Sequence, residues 1–323
     1  MTAQYQRAPS AIGIAEAMTK IAAILPPTPL LPVEIAGHTV WCKAESLQPI
    51  GAFKIRGAWH RLTDLKRTER EAGVIGVSSG NHAQGVAWAA KRLGIAATIV
   101  MPVDAPQVKL DATRALGAEI VLYDRPGGED RDALAARLSA ERGATLVHAY
   151  ADPWVIEGQG TVGLELAAQM AGRNEGWPTR IIAPCGGGGL TAGLALACPD
   201  AEIVPVEPEG WDDVRLSLAA GKIRRVPADA PHTPCDALQT PATWPINFAV
   251  LQQRCAFGLF VTPAEVREAQ RFAFARLHLV LEPGGAAALA AALAGKVALD
   301  GRTAIVLSGG NTDAAAFAAA IAP

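Results

Sequence analysis

The sequence predicts an α/β protein whose sheets are mostly parallel and are covered by helices on both faces. Short apolar runs of β-like composition alternate with Ala- and Leu-rich stretches of helical spacing along the 323 residues. This alternation is typical of parallel sheets. Several of the apolar runs end in glycine-rich turns that lead into helical stretches. Because open α/β folds bind their ligands at the carboxyl ends of the strands, these turns are the predicted ligand site.

The predicted strands and helices alternate in order along the chain. The strand-like runs are 74–77, 97–101, 119–123, 145–148, 181–183, 203–206 and 304–307. The helical stretches between them include 83–93, 108–116, 131–142 and 162–170. The runs are short and apolar, as expected of strands in a sheet that is covered on both faces, and the longer stretches repeat apolar residues at the spacing of a helix face.

The composition is that of a globular protein with a substantial core. Of all residues, 50% are hydrophobic and 19% are charged, and the net charge is −2. Acidic and basic residues are mixed along the chain, so neither nucleic acid nor a membrane surface is indicated as a partner. No apolar stretch without charges is long enough to span a bilayer. The five cysteines form no C-x-x-C pair, which favours reduced thiols and a cytoplasmic location.

A run of four glycines is the first candidate ligand site. It follows the apolar run 181–183 and precedes an Ala- and Leu-rich helix, and its members are Gly186, Gly187, Gly188 and Gly189. Without Cβ atoms, the backbone N–H groups can converge on an anion, and the N-terminus of the following helix adds its positive end. Residues 190–193 read Leu-Thr-Ala-Gly, so this is not a Walker loop. On these residues alone, a phosphate cradle and a tight turn for close packing both stay open.

Two further segments carry unusual chemistry. Lys54 lies between Phe53 and Ile55, and a lysine with a lowered pKa can form a Schiff base with an aldehyde. A single lysine in such a place is more often a surface residue of an amphipathic helix. The second segment, 78–82, closes a predicted strand and starts a helix. Its Ser79, Asn81 and backbone N–H groups could hold a carboxylate or a ring hydroxyl, although Ser and Asn are also ordinary helix caps.

Taken together in chain order, these segments resemble the fold-type II pyridoxal 5′-phosphate (PLP) enzymes, in the branch of serine/threonine dehydratases and serine racemases. The resemblance runs from about Leu25 to Asp313. It is carried by 51–57, 78–82, 186–190 and 308–311, with further matches at 158–161, 206–208, 243–246 and 281–283. It implies two open, twisted, mostly parallel sheets flanked by helices. A large PLP-binding domain would comprise 1–72 plus 152–323, a small domain would comprise 73–151, and the chain would form a homodimer.

The resemblance also implies a role for each candidate residue. Lys54 would bind PLP covalently and act as a catalytic base, and Ser79 would be a second catalytic residue on the opposite face of the ring. Phe53 would pack beside the ring, Asn81 would hydrogen-bond its 3′ oxygen, and Ser308 would face the pyridine nitrogen. The four glycines would bind the 5′-phosphate. The substrate would be held by Ser79, Gly80, His82, Gln84 and Arg131, although by its chemistry alone a histidine at position 82 is more often structural.

The implied reaction removes water and ammonia from a small β-hydroxy amino acid such as L-threonine or L-serine, leaving a 2-oxo acid. A hydroxyl at Ser308 is a poor counter-ion for the pyridine nitrogen, which favours expulsion of the β-hydroxyl. Two departures bear on substrate choice: Ala52 replaces the usual serine before Phe53-Lys54, and 243–246 read Thr-Trp-Pro-Ile as in the racemases. The alternatives are an amino-acid racemase, a dehydratase of 3-hydroxyaspartate or phenylserine, and a non-catalytic binder of PLP or nucleotide.

A divalent-cation site is a further expectation. Glu207 follows a strand-like run and Asp213 lies six residues later. In the racemase-like branch, the matching positions bind Mg²⁺ or a similar ion together with a backbone carbonyl, which here belongs to Trp211. Ligands that are all oxygen suit Mg²⁺, Mn²⁺ or Ca²⁺. The alternative is two solvated acids on a loop.

Overall fold

The computed structural model describes residues 7–78, 80–105, 107–124 and 127–322, and it confirms the predicted α/β fold. In this part of the chain, the strands are β1 Leu30–Ile35, β2 His38–Ala44, β3 Val74–Val77, β4 Ala97–Pro102, β5 Glu119–Tyr123, β6 Thr145–Val147, β7 Arg180–Pro184, β8 Glu202–Pro208, β9 Leu259–Val261 and β10 Thr303–Leu307. They form a six-stranded sheet in the order β1-β2-β10-β7-β8-β9 and a four-stranded sheet in the order β5-β4-β3-β6.

Helices connect the strands and cover the sheets. They are α1 Ala11–Ala22, α2 Lys54–Thr63, α3 Arg67–Ala72, α4 Asn81–Leu93, α5 Gln107–Ala115, α6 Arg131–Arg142, α7 Pro153–Ala171, α8 Gly189–Ala197, α9 Asp213–Ala220, α10 Pro245–Arg254, α11 Pro263–Phe272, α12 Pro283–Leu293 and α13 Ala314–Ile321. A π-helical turn at Ala273–Leu277 extends α11. No helix in the described residues is long and apolar enough to cross a membrane.

Among the strands of the described residues, every pair but one is parallel. β1 and β2 form an antiparallel hairpin, which turns through Ala36 and Gly37 at φ of 50° and 80°. Positive φ at both central residues matches the right-handed twist of the two strands. The other pairs of both sheets are parallel. The four-stranded sheet uses residues within the segment 73–151, and the domain boundaries at both ends of that segment stay a prediction.

Close packing of helices positions the start of α2. Gly57 on α2 lies against Gly158 on α7, where an added Cβ at Gly158 would stand 2.5 Å from the Gly57 Cα. A side chain at either position would push the helices apart. The small residues therefore hold the first turn of α2 directly over α7.

A buried ionic network anchors the same turn. The Arg56 guanidinium donates to both carboxylate oxygens of Glu45, at 2.8 and 2.7 Å, and to Glu165 at 3.0 Å. Lys43, which is also fully buried, donates to Glu165. These cations and carboxylates satisfy one another, and removing one partner of such a buried pair costs about 3–5 kcal/mol. Through Arg56, which lies two residues after Lys54, the network connects α2 to β2 and α7.

Candidate active site

The carboxyl ends of strands from both sheets meet at one cavity of about 170 Å³. The turns after β3, β6, β7 and β10 contribute to its walls, as expected for a ligand site in parallel sheets. Among the residues predicted from sequence, those that line it are Phe53, Lys54, Gly80, Asn81, His82, Arg131, Gly186, Gly187, Gly188, Gly189 and Ser308. Gln84 is not among the lining residues. Ser79 lies outside the described residues.

Lys54 is the first residue of α2 and points into this cavity. Its Nζ donates a hydrogen bond of 2.7 Å to the Ala149 carbonyl. Burial lowers the pKa of the Lys54 amine to about 8, against an opposing effect of the nearby Glu282 carboxylate. A lowered pKa raises the fraction of neutral, nucleophilic amine. This environment is that of a reactive lysine rather than of a surface lysine on an amphipathic helix.

The segment before Lys54 is fastened to the end of β10. The Phe53 N–H donates to the Ser308 carbonyl at 3.1 Å, and Ala52 forms a β-bridge with Gly309. These contacts hold Ser308 beside Phe53 on one wall of the cavity. The predicted roles of Phe53 and Ser308 toward a cofactor ring stay predictions, and their positions on the cavity wall are compatible with them.

The glycine run lies between β7 and α8 and leaves no room for side chains. An added Cβ at Gly187 would stand 2.2 Å from the Tyr150 ring, and one at Gly186 would stand 2.9 Å from the Thr240 hydroxyl. Gly188 has φ of 89° and is the N-cap of α8. The first N–H groups of a helix have no intrahelical acceptor, so the loop and the start of α8 fit a phosphate group.

Asn81 is the first residue of α4, which follows β3 of the four-stranded sheet, and its side chain faces the cavity. Its Nδ2 donates to Glu282 at 2.6 Å, and its Oδ1 accepts from Asn311 at 2.8 Å. Burial raises the pKa of the Glu282 carboxyl to about 7, although the hydrogen bond from Asn81 opposes this. An amide, a buried carboxyl group and the Lys54 amine thus share one wall.

The protein fixes one ring nitrogen of His82, and its predicted substrate contact stays a prediction. Burial, followed by the charge of Lys54, lowers its pKa to about 3, so the ring is neutral at physiological pH. Its Nε2 lies 2.9 Å from the Val147 carbonyl; because a carbonyl only accepts, Nε2 carries the proton. The turn that precedes it is closed by the Gly80 N–H, which donates to the Ser78 hydroxyl at 3.1 Å. Gln84 lies two residues further along α4, and its substrate contact stays a prediction.

Several cavity residues were missed by the sequence reasoning, among them Lys109, Tyr150, Asp236, Thr240 and Glu282. Lys109 on α5 and Asp236, before α10, form an ion pair at the cavity wall. Tyr150 follows β6 and packs under the glycine run, with its ring 4.6 Å from that of His148. Of these five, only Glu282 lay in a stretch that matched the family, and no local pattern singled out the others.

The predicted cation ligands lie outside this cavity, beside α9. Both oxygens of Glu207 accept from backbone N–H groups, of Val214 at 3.0 Å and of Arg215 at 2.8 Å. Asp213 accepts from the Thr243 N–H through one oxygen at 2.7 Å, and its other oxygen is buried without a partner. Burial raises the pKa of Asp213 to about 7 and that of Glu207 well above its usual range, and for Glu207 the Asp213 charge adds to this. The two acids are therefore not solvated.

This pair needs a proton or a cation, and the ligand set stays a prediction. Among the described residues, no group of three or more His, Cys, Asp or Glu side chains could hold a metal ion. A cation would depend on the two carboxylates, the Trp211 carbonyl and water, which suits Mg²⁺. The unpartnered Asp213 oxygen is the feature that fits such an ion.

Mg²⁺ is expected to raise the melting temperature by a few degrees at saturation, because a cation that binds only the folded chain stabilises it. EDTA should reverse the effect. The matched control is Asp213→Asn, which keeps the size of the side chain and removes one ligand charge, and in which Mg²⁺ should have no effect. Differential scanning calorimetry measures both. Equal shifts of the melting temperature in the two proteins, or no shift in either, would show that Mg²⁺ does not bind at Asp213.

Comparison with known proteins gives the family of the chain. A family model described as pyridoxal-phosphate dependent enzyme matches residues 21–309. Serine racemase of Schizosaccharomyces pombe is 39% identical over 285 residues, which cover 86% of this chain and 85% of that protein. L-threo-3-hydroxyaspartate ammonia-lyase of a Pseudomonas species is 40% identical over 287 residues, which cover 87% and 88%. The crystal structure of a threonine deaminase from T.th. is 43% identical with a TM-score of 0.86, and the match covers 94% of this chain and 99% of that one.

These matches confirm the fold and the branch that the motifs predicted. The matched span contains the lysine, the asparagine and the glycine run of the cavity together with Ser308, and the chemistry of these residues fits the aldehyde, the ring and the phosphate of PLP. The chain belongs to the family of pyridoxal-phosphate dependent enzymes.

Proposed function

We propose that this chain catalyses the dehydration and deamination of a β-hydroxy amino acid, with L-threonine or L-serine as substrate, to a 2-oxo acid and ammonia. The observation that carries the proposal is the position of the Lys54 amine. It is half-buried, its pKa is lowered to about 8, and it shares a cavity with the glycine run and with the turn that starts α4. The three elements together provide a base, a phosphate site and a carboxylate site.

Different residues of the chain would perform different steps of the reaction. When bound, PLP supplies the electron sink that acidifies the Cα–H bond of an amino acid joined to it. The neutral Lys54 amine takes the Cα proton, for which a pKa near the working pH is well suited. The N-terminus of α4 would hold the substrate carboxylate through the backbone N–H groups of Gly80 and Asn81. This contact would fix the direction of the Cα–H bond.

The direct test is a product assay. Incubation with L-serine and L-threonine is expected to give pyruvate and 2-oxobutyrate in equal amounts with ammonia, because loss of the β-hydroxyl leaves an enamine that hydrolyses. Coupled dehydrogenase and ammonia assays measure both products, and chiral chromatography follows the amino acid. Formation of the D-enantiomer faster than the 2-oxo acid would favour racemisation, the main alternative, in which Ser79 would reprotonate Cα.

A second candidate is dehydration of an acidic substrate, 3-hydroxyaspartate. Arg131, the first residue of α6, lines the cavity and also two adjoining cavities of about 400 and 600 Å³. In the described part of the chain, its ion-pair partner is the neighbouring Asp132, at 3.6 Å from its Nε. Its guanidinium can therefore donate hydrogen bonds to a second carboxylate of the substrate. The similarity to an ammonia-lyase named for L-threo-3-hydroxyaspartate supports this candidate.

Arg131→Leu is expected to lower kcat/KM for 3-hydroxyaspartate by about 10²-fold and that for L-serine by less than about threefold, because only the former loses a charged partner. The matched control is Arg137→Leu on the same helix, where the guanidinium is exposed and pairs with Glu141. Steady-state kinetics with both substrates measure the effect. An equal loss for the two substrates would mean that Arg131 does not recognise a side-chain carboxylate.

We further propose that the enzyme is a cytoplasmic homodimer. The homodimer rests on the resemblance to the family. The cytoplasmic location is supported by the five cysteines, all of which are buried and unpaired. Burial raises the pKa of Cys42 to about 12, which disfavours the reactive thiolate.

A further inference from the structure

Four groups from distant parts of the chain form a continuous run of hydrogen bonds beside the cavity. The Asn311 side-chain amide donates to the Ile50 carbonyl at 2.7 Å and to Asn81 Oδ1 at 2.8 Å. The Asn81 amide in turn donates to Glu282 Oε1 at 2.6 Å. The run therefore joins the loop before α2, the turn after β10, the start of α4 and the residue before α12. We call it the amide relay.

The relay has a direction that one main-chain atom fixes. The Ile50 carbonyl can only accept, so the Asn311 atom that faces it must be the nitrogen. The second hydrogen of that nitrogen points to Asn81, which must therefore present its oxygen. The Asn81 nitrogen is then left on the side of Glu282. The orientation of an asparagine amide is normally inferred from its hydrogen bonds, and here each partner leaves one choice.

Two glycines make room for the relay. An added Cβ at Gly309 would stand 2.1 Å from the Glu282 Oε1, and one at Gly51 would stand 2.3 Å from the Asn311 Oδ1. Gly51 also has φ of 71°, in the left-handed region that favours glycine. The backbone on both sides of the relay is thus shaped around these side chains.

One hydrogen of the Asn81 amide remains for the cavity. The Asn81 nitrogen carries two hydrogens, of which Glu282 takes one, and the side chain is a wall of the cavity and only 8% exposed. We propose that Asn311 and Glu282 are positioning residues, which hold Asn81 so that it offers an N–H, and not its carbonyl oxygen, to the ring oxygen of PLP. The inference rests on the proposed function, because it takes PLP as the occupant of the cavity.

The relay predicts unequal effects at its two ends. Asn311→Asp places carboxylate oxygens against the Ile50 carbonyl and the Asn81 oxygen, so the Asn81 amide loses the partner that orients it. The affinity for PLP should fall by about tenfold, as expected for one lost hydrogen bond, and the visible band of bound PLP should shift. Glu282→Gln keeps an acceptor for the Asn81 nitrogen, so the affinity should change by less than about threefold.

The test is a titration of PLP-free protein with PLP, followed by the visible spectrum and by equilibrium dialysis. Gln270→Glu is the matched control, because Gln270 is 2% exposed and its amide also donates to a carbonyl, that of Leu281 at 2.8 Å, without lining the cavity. This control should have a lower melting temperature but the wild-type affinity for PLP and the wild-type visible band. If Asn311→Asp does not fold, Asn311→Ala removes the donor without adding charge and should show the same loss of affinity.

The outcomes separate the relay from the proposed function. Wild-type affinity and an unshifted band in Asn311→Asp and Asn311→Ala would overturn the relay while leaving the function in place. A loss in Gln270→Glu as large as in the Asn311 variants would also overturn it, because the effect would then be one of stability. A wild-type protein that binds no PLP would overturn both. A loss confined to the Asn311 variants would establish the relay.

Discussion

Lys54→Ala is expected to abolish the visible absorption of bound PLP and to lower turnover by at least about 10³-fold, because it removes both the amine that binds the cofactor and the catalytic base. The lysine is suited to both tasks by its place in the fold. It starts α2, donates to the Ala149 carbonyl at 2.7 Å and lies in a wall shared with Glu282. Close contacts between α2 and α7 are made by Gly57 and Arg56, which stay unchanged, so the fold should persist.

Absorption spectra, product assays and circular dichroism measure these effects in the purified variant. Lys91→Ala is the control, since its amine is exposed and donates to the Ala115 carbonyl at the end of α5; it should behave as the wild type. Attachment of PLP to PLP-free wild-type protein should also become faster as the pH rises through about 8, because the neutral amine is formed above the pKa of Lys54. A visible band and normal turnover in Lys54→Ala would show that the assignment is wrong.

The strands that could be predicted from sequence are those with continuous apolar runs. Seven of the strands in the described residues were predicted, and the five residues of β10 are all buried. Of the three strands that were not predicted, β1 and β2 lack this signal, whereas β9 is apolar throughout but is as short as β6, which was predicted. β1 contains Pro32 and a mixed burial pattern, β2 begins with two exposed residues, and β9 has only three residues. An edge hairpin and a short edge strand depend on their neighbours for stability, and a local pattern does not show those neighbours.

The candidate site divides in a similar way. The reactive lysine, Asn81 and the glycine run were predicted because their motifs, taken together in chain order, resemble those of the PLP enzymes. Glu282 meets Asn81 across 201 positions of sequence, and Tyr150 lies under Gly187 only because β6 and β7 end at the same cavity. Their roles arise from tertiary contact, for which a single sequence carries no local signal. The orientation of the Asn81 amide likewise depends on a carbonyl in another loop.

Gly187→Ala is expected to lower the affinity for PLP by about 10²-fold, because a methyl group at this position displaces the wall of the phosphate site. The added Cβ would stand 2.2, 2.3 and 2.5 Å from three atoms of the Tyr150 ring, far inside contact distance. Overpacking of this kind costs about 1–3 kcal/mol when the neighbours must move. Tyr150 is not free to move, since its ring packs on His148 and its carbonyl accepts from Asn247 at 2.8 Å.

Either the Tyr150 ring or the glycine run must therefore move. Both movements would disturb the convergence of backbone N–H groups on the phosphate. Gly301→Ala is the matched control, because no heavy atom of the described residues, apart from its chain neighbours, lies within 4 Å of its added Cβ, and it should bind PLP as the wild type does. Equilibrium dialysis gives the affinity, and the melting temperature of the PLP-free protein shows how much of the effect is general destabilisation. If Gly187→Ala binds PLP with wild-type affinity, the phosphate does not bind at the glycine run, and the loop serves only the close packing of β7, α8 and Tyr150.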